Sequence, residues 1–140
     1  MATYNKFNIF TTDLVNAAHN FGSHTFKVML TNTAPVATNA VLTDITEISA
    51  GNGYTAGGTA SVVTQTNSSG TMKVTAANVT FTAAGGSIGP FRYAVFYNST
   101  QTSPAKPLIS WFDYGSSVTL NSGETFTWTP DATNGLFTLA

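Results

Sequence analysis

No cysteine occurs anywhere in the 140 residues of this chain. That absence excludes disulfide scaffolds, thiol nucleophiles and thiolate metal sites, and leaves packing as the source of stability. Charge is nearly as scarce: 5 Lys and Arg stand against 6 Asp and Glu, the formal net charge is -1, and charged residues make up 8% of the chain, where about 25% is ordinary. Five scattered cations, Lys6, Lys27, Lys73, Arg92 and Lys106, cannot assemble the basic surface that phosphate neutralisation demands, so no nucleic-acid partner is expected. No run reaches the roughly 18 apolar residues of a membrane span, and no apolar stretch follows the first charge near the N-terminus. The chain is therefore expected to fold in a cytoplasm with neither membrane contact nor signal peptide. Disorder is disfavoured as well, because 42% of the residues are hydrophobic and 12% aromatic.

What remains is polar and uncharged. Thr supplies 25 residues, and Ser, Asn and Gly 12 each; Thr favours strands while the other three mark turns. Low surface charge leaves little repulsion between neighbouring copies, which suits a protein working in a dense assembly. Sequons at Asn67, Asn78 and Asn98 follow from this composition and carry no weight.

Periodicity divides the chain. Leu14, Ala17, Ala18 and Phe21 fall at i, i+3, i+4 and i+7, with Thr11 or Thr12 placed to cap the start, Asp13 matching the positive helix end and Gly22 closing it. A short helix is expected over residues 12–20. From Thr25 the period drops to two: Phe26, Val28 and Leu30 share one face and Lys27 and Thr31 the other, as in a half-buried strand. Pro35 ends it. Residues 33–58 form a long irregular loop, apolar over 41–48 and glycine-rich over 51–58, and loops of that length often bind something. Strands then follow at short spacing over 61–66, 71–75, 78–82, 91–97, 108–114, 117–120, 124–129 and 136–139, the first two flanking a hairpin loop at 67–70. Segments 91–97 and 108–114 are apolar on both faces and belong centrally, between two layers. The expected fold is all-β: one antiparallel two-sheet sandwich of jelly-roll or immunoglobulin-like kind spanning residues 1–140, with eight or nine strands and one short N-terminal helix.

The groups able to do chemistry are few. His19 and His24, five apart and straddling Gly22, lack the companions of a metal set. No nucleophile elbow exists. Asp113 and Glu124 are the best-placed pair for glycoside hydrolysis, but Asp113 has a simpler partner. If residues 98–106 close a hairpin with Tyr97 facing Leu108, Arg92 falls opposite Asp113, and a cross-strand Arg–carboxylate pair in a mostly uncharged sheet is first a structural ion pair. Asp44 with Glu47, and Asp131 with Asn134, could offer oxygens to calcium, yet Asp and Asn in turns usually bond their own backbone. No cofactor and no catalytic residue is expected. Tyr54, Trp111, Tyr114 and Trp128 could form a platform for sugar rings; Trp111 belongs to a two-sided apolar strand, which leaves Tyr54 as the ring in a plainly exposed setting.

Two stretches look familiar as a set. One runs from Leu30 through Pro35, Asp44 and Glu47 to Gly51-Asn52-Gly53-Tyr54-Thr55-Ala56-Gly57-Gly58. The other is Gly89-Pro90-Phe91-Arg92-Tyr93-Ala94-Val95-Phe96-Tyr97-Asn98 with Pro107-Leu108-Ile109-Ser110-Trp111-Phe112-Asp113-Tyr114-Gly115. Together with the Lys6-Phe7-Asn8 start they resemble small structural (virion) proteins of tailed bacteriophages. The resemblance implies a virion component and carries over no catalytic residue. A capsid decoration or cement protein is the expectation, bound to the major capsid protein of the same virion and forming a homo-oligomer, dimer or trimer. The contact is expected from the N-terminal arm, residues 1–10, where Tyr4, Phe7, Ile9 and Phe10 lie ahead of the strand array, with the 33–58 loop second; the arm could instead add an edge strand to its own sheet. The alternative from another class is a receptor- or glycan-binding module of the tail tip or fibre, using Tyr54. A tail-tube or head-completion role is third.

Overall fold

The computed structural model describes residues 3–140. Along the chain come β1 (Thr3–Lys6), α1 (Ile9–Val15), β2 (Phe26–Thr31), β3 (Thr59–Ser61), β4 (Val63–Ser68), β5 (Thr71–Ala76), β6 (Val79–Thr82), β7 (Ile88–Asn98), β8 (Leu108–Leu120), β9 (Thr125–Trp128) and β10 (Phe137–Leu139). All pairings are antiparallel. One layer is a five-stranded sheet in the order β1-β8-β7-β2-β3; the other is made of two smaller sheets, β10-β5-β4 and β6-β9. The result is an all-β sandwich with one short helix.

Strand alternation sets its core. Phe26, Val28 and Leu30 of β2 and Ala94 and Phe96 of β7 project inward and meet Ala76, Phe81 and Trp128 of the facing layer. Interleaved with them, Met29, Val95, Tyr97 and Leu108 project to the opposite face, where Phe7 joins them and Ile9, Leu42 and Ile45 pack on top. The two-sided strands thus lie between two layers, but the outer cover is irregular chain. The 33–58 loop is pinned along its length by bonds from Leu108 N to Ala40 O (3.0 Å), Leu42 N to Lys106 O (3.0 Å) and Ile48 N to Leu30 O (3.2 Å). It contains one 3-10 turn, Leu42–Asp44.

The strands number ten among the described residues, not eight or nine, and the expected strands 108–114 and 117–120 are one, Leu108–Leu120; two further local expectations need correction. The helix lies at Ile9–Val15, not at 12–20. Burying Phe10 outweighs the Thr11 and Thr12 cap signals, and the chain leaves the helix before Gly22. Ala18 N bonds Asp13 O (2.8 Å) and Ala17 N bonds Leu14 O (3.2 Å), a Schellman ending with Ala17 at the left-handed position, φ 61°, where glycine is usual. The second concerns register. Tyr97 does face Leu108, but the pairing shifts by one residue at Ile109, so that Phe96 faces Ser110 and Tyr93, not Arg92, faces Asp113. A bulge of this kind changes which side chains share a face. It returns Phe112 to the inner core and leaves Trp111 on the outer side.

Candidate interaction surface

The N-terminal arm is part of the sheet. Thr3, Tyr4, Asn5 and Lys6 pair with Asp113, Phe112, Trp111 and Ser110, so the arm supplies the edge strand that β8 would otherwise lack. Phe7 (0% exposed) and Phe10 (2%) are interior, and Ile9 is half-buried against the outer cluster; the expectation that they form a free docking arm is corrected. Phe7 packs against Trp111 at 4.5 Å between ring centroids. Tyr4 keeps 40% of its surface exposed, its ring edge-on to Phe112 at 5.3 Å.

Tyr54 is also interior, at 3% exposure. Its hydroxyl accepts from Leu30 N (3.0 Å) and donates to Glu47 Oε1 (2.7 Å), which accepts from Gly57 N (2.6 Å) as well, while the Tyr97 hydroxyl donates to Gly57 O (2.5 Å). Burial first, then the nearby Glu47 carboxylate, pushes the Tyr97 phenol up to about 12, and burial raises that of Tyr54 further. Tyr54 therefore fastens the glycine-rich loop to β2 and offers no exposed ring to a ligand. The loop lies so close that a Cβ on Gly58 would stand 1.8 Å from Val28 O.

Arg92 and Asp113 do form an ion pair, through Nε–Oδ1 at 2.8 Å and Nη2–Oδ2 at 3.0 Å. It spans the second register shift, between the pairs Phe91–Val118 and Tyr93–Asp113. It is the one salt bridge among the described residues. The Arg92 bond holds the Asp113 carboxyl below its ordinary range, and the bond from Gly115 N adds to this. The remaining acids are committed too. Asp44 accepts from Ala40 N and Val41 N, Glu124 from Asn121 N, and Asp131 from Thr133 N and Asn134 N; Asp13 is buried. Asp113 and Glu124 thus have separate partners. The Asp44, Glu47 and Asp131 oxygens close turns or loops, and no group of three metal-ligating side chains stands among the described residues.

Both histidines converge on Asn98. Its fully buried Nδ2 lies 3.2 Å from His19 Nδ1, 2.9 Å from His24 Nδ1 and 3.3 Å from Ala18 O. An amide nitrogen has two hydrogens, so three acceptors compete for them. Burial, with His24 alongside, lowers the His19 pKa to about 4.

An open cleft lies where the two layers part beside β8 and β9. One hollow of about 320 Å³ is lined by Arg92, Phe112, Tyr114, Phe126, Trp128 and Thr129 among others. A second, of about 550 Å³, lies under Tyr4 against Pro130 and Leu136. They share Phe112 and Thr129. Tyr114 is 47% exposed, while Trp128 is buried with an indole N–H that finds no acceptor. Tyr114 and Trp128 were legible as candidate rings. Phe112 and Phe126 were not, because residues so far apart in sequence meet only through the sheet topology.

No family model, curated protein or solved structure matches the chain significantly.

Proposed function

We propose that this is a virion structural protein of a tailed bacteriophage, a capsid decoration or cement protein that stabilises the head shell by non-covalent contacts with the major capsid protein. The observation that carries this reading is the disposition of the acids. Five of the six accept hydrogen bonds from their own chain and the sixth, Asp13, is buried, which leaves a scaffold rich in Thr, Ser and Asn whose exposed carboxylates are bound into its own turns and sheet. Such a protein acts by adhesion, not by turnover.

With Phe7, Phe10 and Tyr54 interior, the contact passes to the edge formed by β3 and β4. Among the described residues each of these strands pairs on one side only, and Val62 between them is 73% exposed. Unpaired strand edges offer backbone donors and acceptors to a neighbour. The same edge provides the isologous surface of a dimer or the contact of a trimer. Purified protein should add to capsids that lack it and raise their resistance to heat and chelators, and Val62→Asp should abolish that addition while leaving the fold intact. Failure of the unaltered protein to bind any capsid intermediate would overturn the proposal.

A further inference from the structure

We infer that the cleft between β8 and β9 is a binding site for a neutral saccharide. Three observations converge there. The walls are aromatic and only part-covered: Tyr114 and Tyr4 keep 47% and 40% of their surface exposed, and each is braced edge-on by an inner ring, Tyr114 by Phe126 at 5.4 Å and Tyr4 by Phe112 at 5.3 Å. Rings held in this way present apolar area at little entropic cost to the C–H face of a pyranose. The second observation is the polar rim. Arg92 spends two N–H groups on Asp113 and retains others of its five, and the rim also includes Thr127 and Thr129. The third is Trp128, which lines the cleft and whose buried indole N–H has no acceptor among the described residues; a buried donor left so is uncommon.

Charge selects the ligand class. Arg92 is neutralised by Asp113, and Asp131, which lines the second hollow, has no salt-bridge partner among the described residues. A cleft without an unpaired cation has no attraction for phosphates, sulfates or uronates, whereas a polyhydroxylated neutral ligand fits rings below and hydrogen-bonding groups around the edge. The hollows, about 320 and 550 Å³ and joined at Phe112 and Thr129, fall in the roughly 300–1,000 Å³ range of small-molecule sites and suit a short oligosaccharide. Val62 and the β3–β4 edge are not among the residues lining it, so a copy bound to a shell through that edge would keep the cleft open to solution.

The test is a chemical-shift titration of isotope-labelled protein with glucose, galactose, N-acetylglucosamine, maltotriose and chitotriose, and with glucose 6-sulfate as the charged comparison. At least one should bind with a dissociation constant near 1 mM, a free energy of about -4 kcal/mol, shifting the Trp128 indole N–H and the amides of Tyr114 and Thr129. Tyr114→Ala should weaken that binding about tenfold with the melting temperature preserved, since the ring is half exposed, and Tyr4→Ala should weaken the trisaccharides more than the monosaccharides. No shift at the cleft with any of these sugars, equal binding by Tyr114→Ala, or preference for a sulfated sugar would each overturn the assignment. Capsid addition by Tyr114→Ala is measured in parallel and should be unchanged, which separates failure here from failure of the shell-binding proposal.

Discussion

The two faces of the five-stranded sheet are covered by different means. On the inner face, strand packs on strand: Phe96 stacks near-parallel to Phe26 at 5.7 Å and to Trp128 at 5.6 Å. On the outer face, a loop and the start of the chain lay Leu42, Ile45, Phe7 and Ile9 across Met29, Val95, Tyr97 and Leu108. The inner cover is held mainly by area and ring packing. The outer one has no sheet of its own and relies on point attachments, chiefly the backbone bonds of Leu42 N to Lys106 O and Leu108 N to Ala40 O and the Tyr97 hydroxyl on Gly57 O. A two-sided apolar strand needs cover on both faces, but only one of them has to be regular.

Truncation of the packing should separate the faces most. Phe96→Ala, fully interior, should cost about 3–5 kcal/mol, whereas Leu42→Ala, part-buried in the outer cluster, should cost about 2 kcal/mol at most. Denaturant melts would measure both, and equal losses would contradict the distinction.

The end of the inner core gives a pH signature. His19 packs between Phe10 and Phe26, and its pKa falls from 6.5 to about 4 on folding. The unfolded chain therefore binds a proton that the folded one refuses as pH drops through this window. Stability should be intact above 6.5, decline by up to about 3 kcal/mol on the way to 4 and then level off for this group. Burial raises the Asp13 pKa and opposes the lower part of the trend, while Asp44, Asp113 and Asp131, with lowered values, lose their contributions only below the ordinary Asp range. His19→Asn, which keeps an acceptor for Asn98, should flatten the decline in thermal melts run across this range.

Smaller effects probe the loop's hydrogen bonds and the helix end. Tyr54→Phe removes the hydroxyl shared by Leu30 N and Glu47 and should cost about 1–3 kcal/mol, with faster amide exchange along the 33–58 loop and unchanged exchange in β5 and β6. Ala17→Gly should go the other way and stabilise the protein by about 0.5–1 kcal/mol, because φ 61° suits glycine better than alanine; calorimetry would detect the shift.

The same contrast explains what could be read in the sequence. The inner face was legible because Phe26, Val28 and Leu30 alternate strictly with polar or outward residues, and a period of two has one structural meaning. The all-β class and the central place of 91–97 and 108–114 followed from such local patterns, whereas Arg92 and Asp113 pair across a register shift and not in the facing register expected. The outer cover was hidden because Phe7, Leu42 and Ile45 share no period, and Tyr54 among glycines has the composition of an exposed loop. The bulge at Ile109 leaves no sign in residue type, and the helix moved because tertiary burial of Phe10 overrode a local cap. The cleft was half visible, in Tyr114 and Trp128, since its walls come from strands joined only by topology.

The solitary ion pair has a consequence for the response to salt. Mobile ions weaken attractions between charges and leave neutral contacts comparatively untouched. With Arg92–Asp113 the one salt bridge among the described residues, brine and rainwater should find this fold almost equally firm.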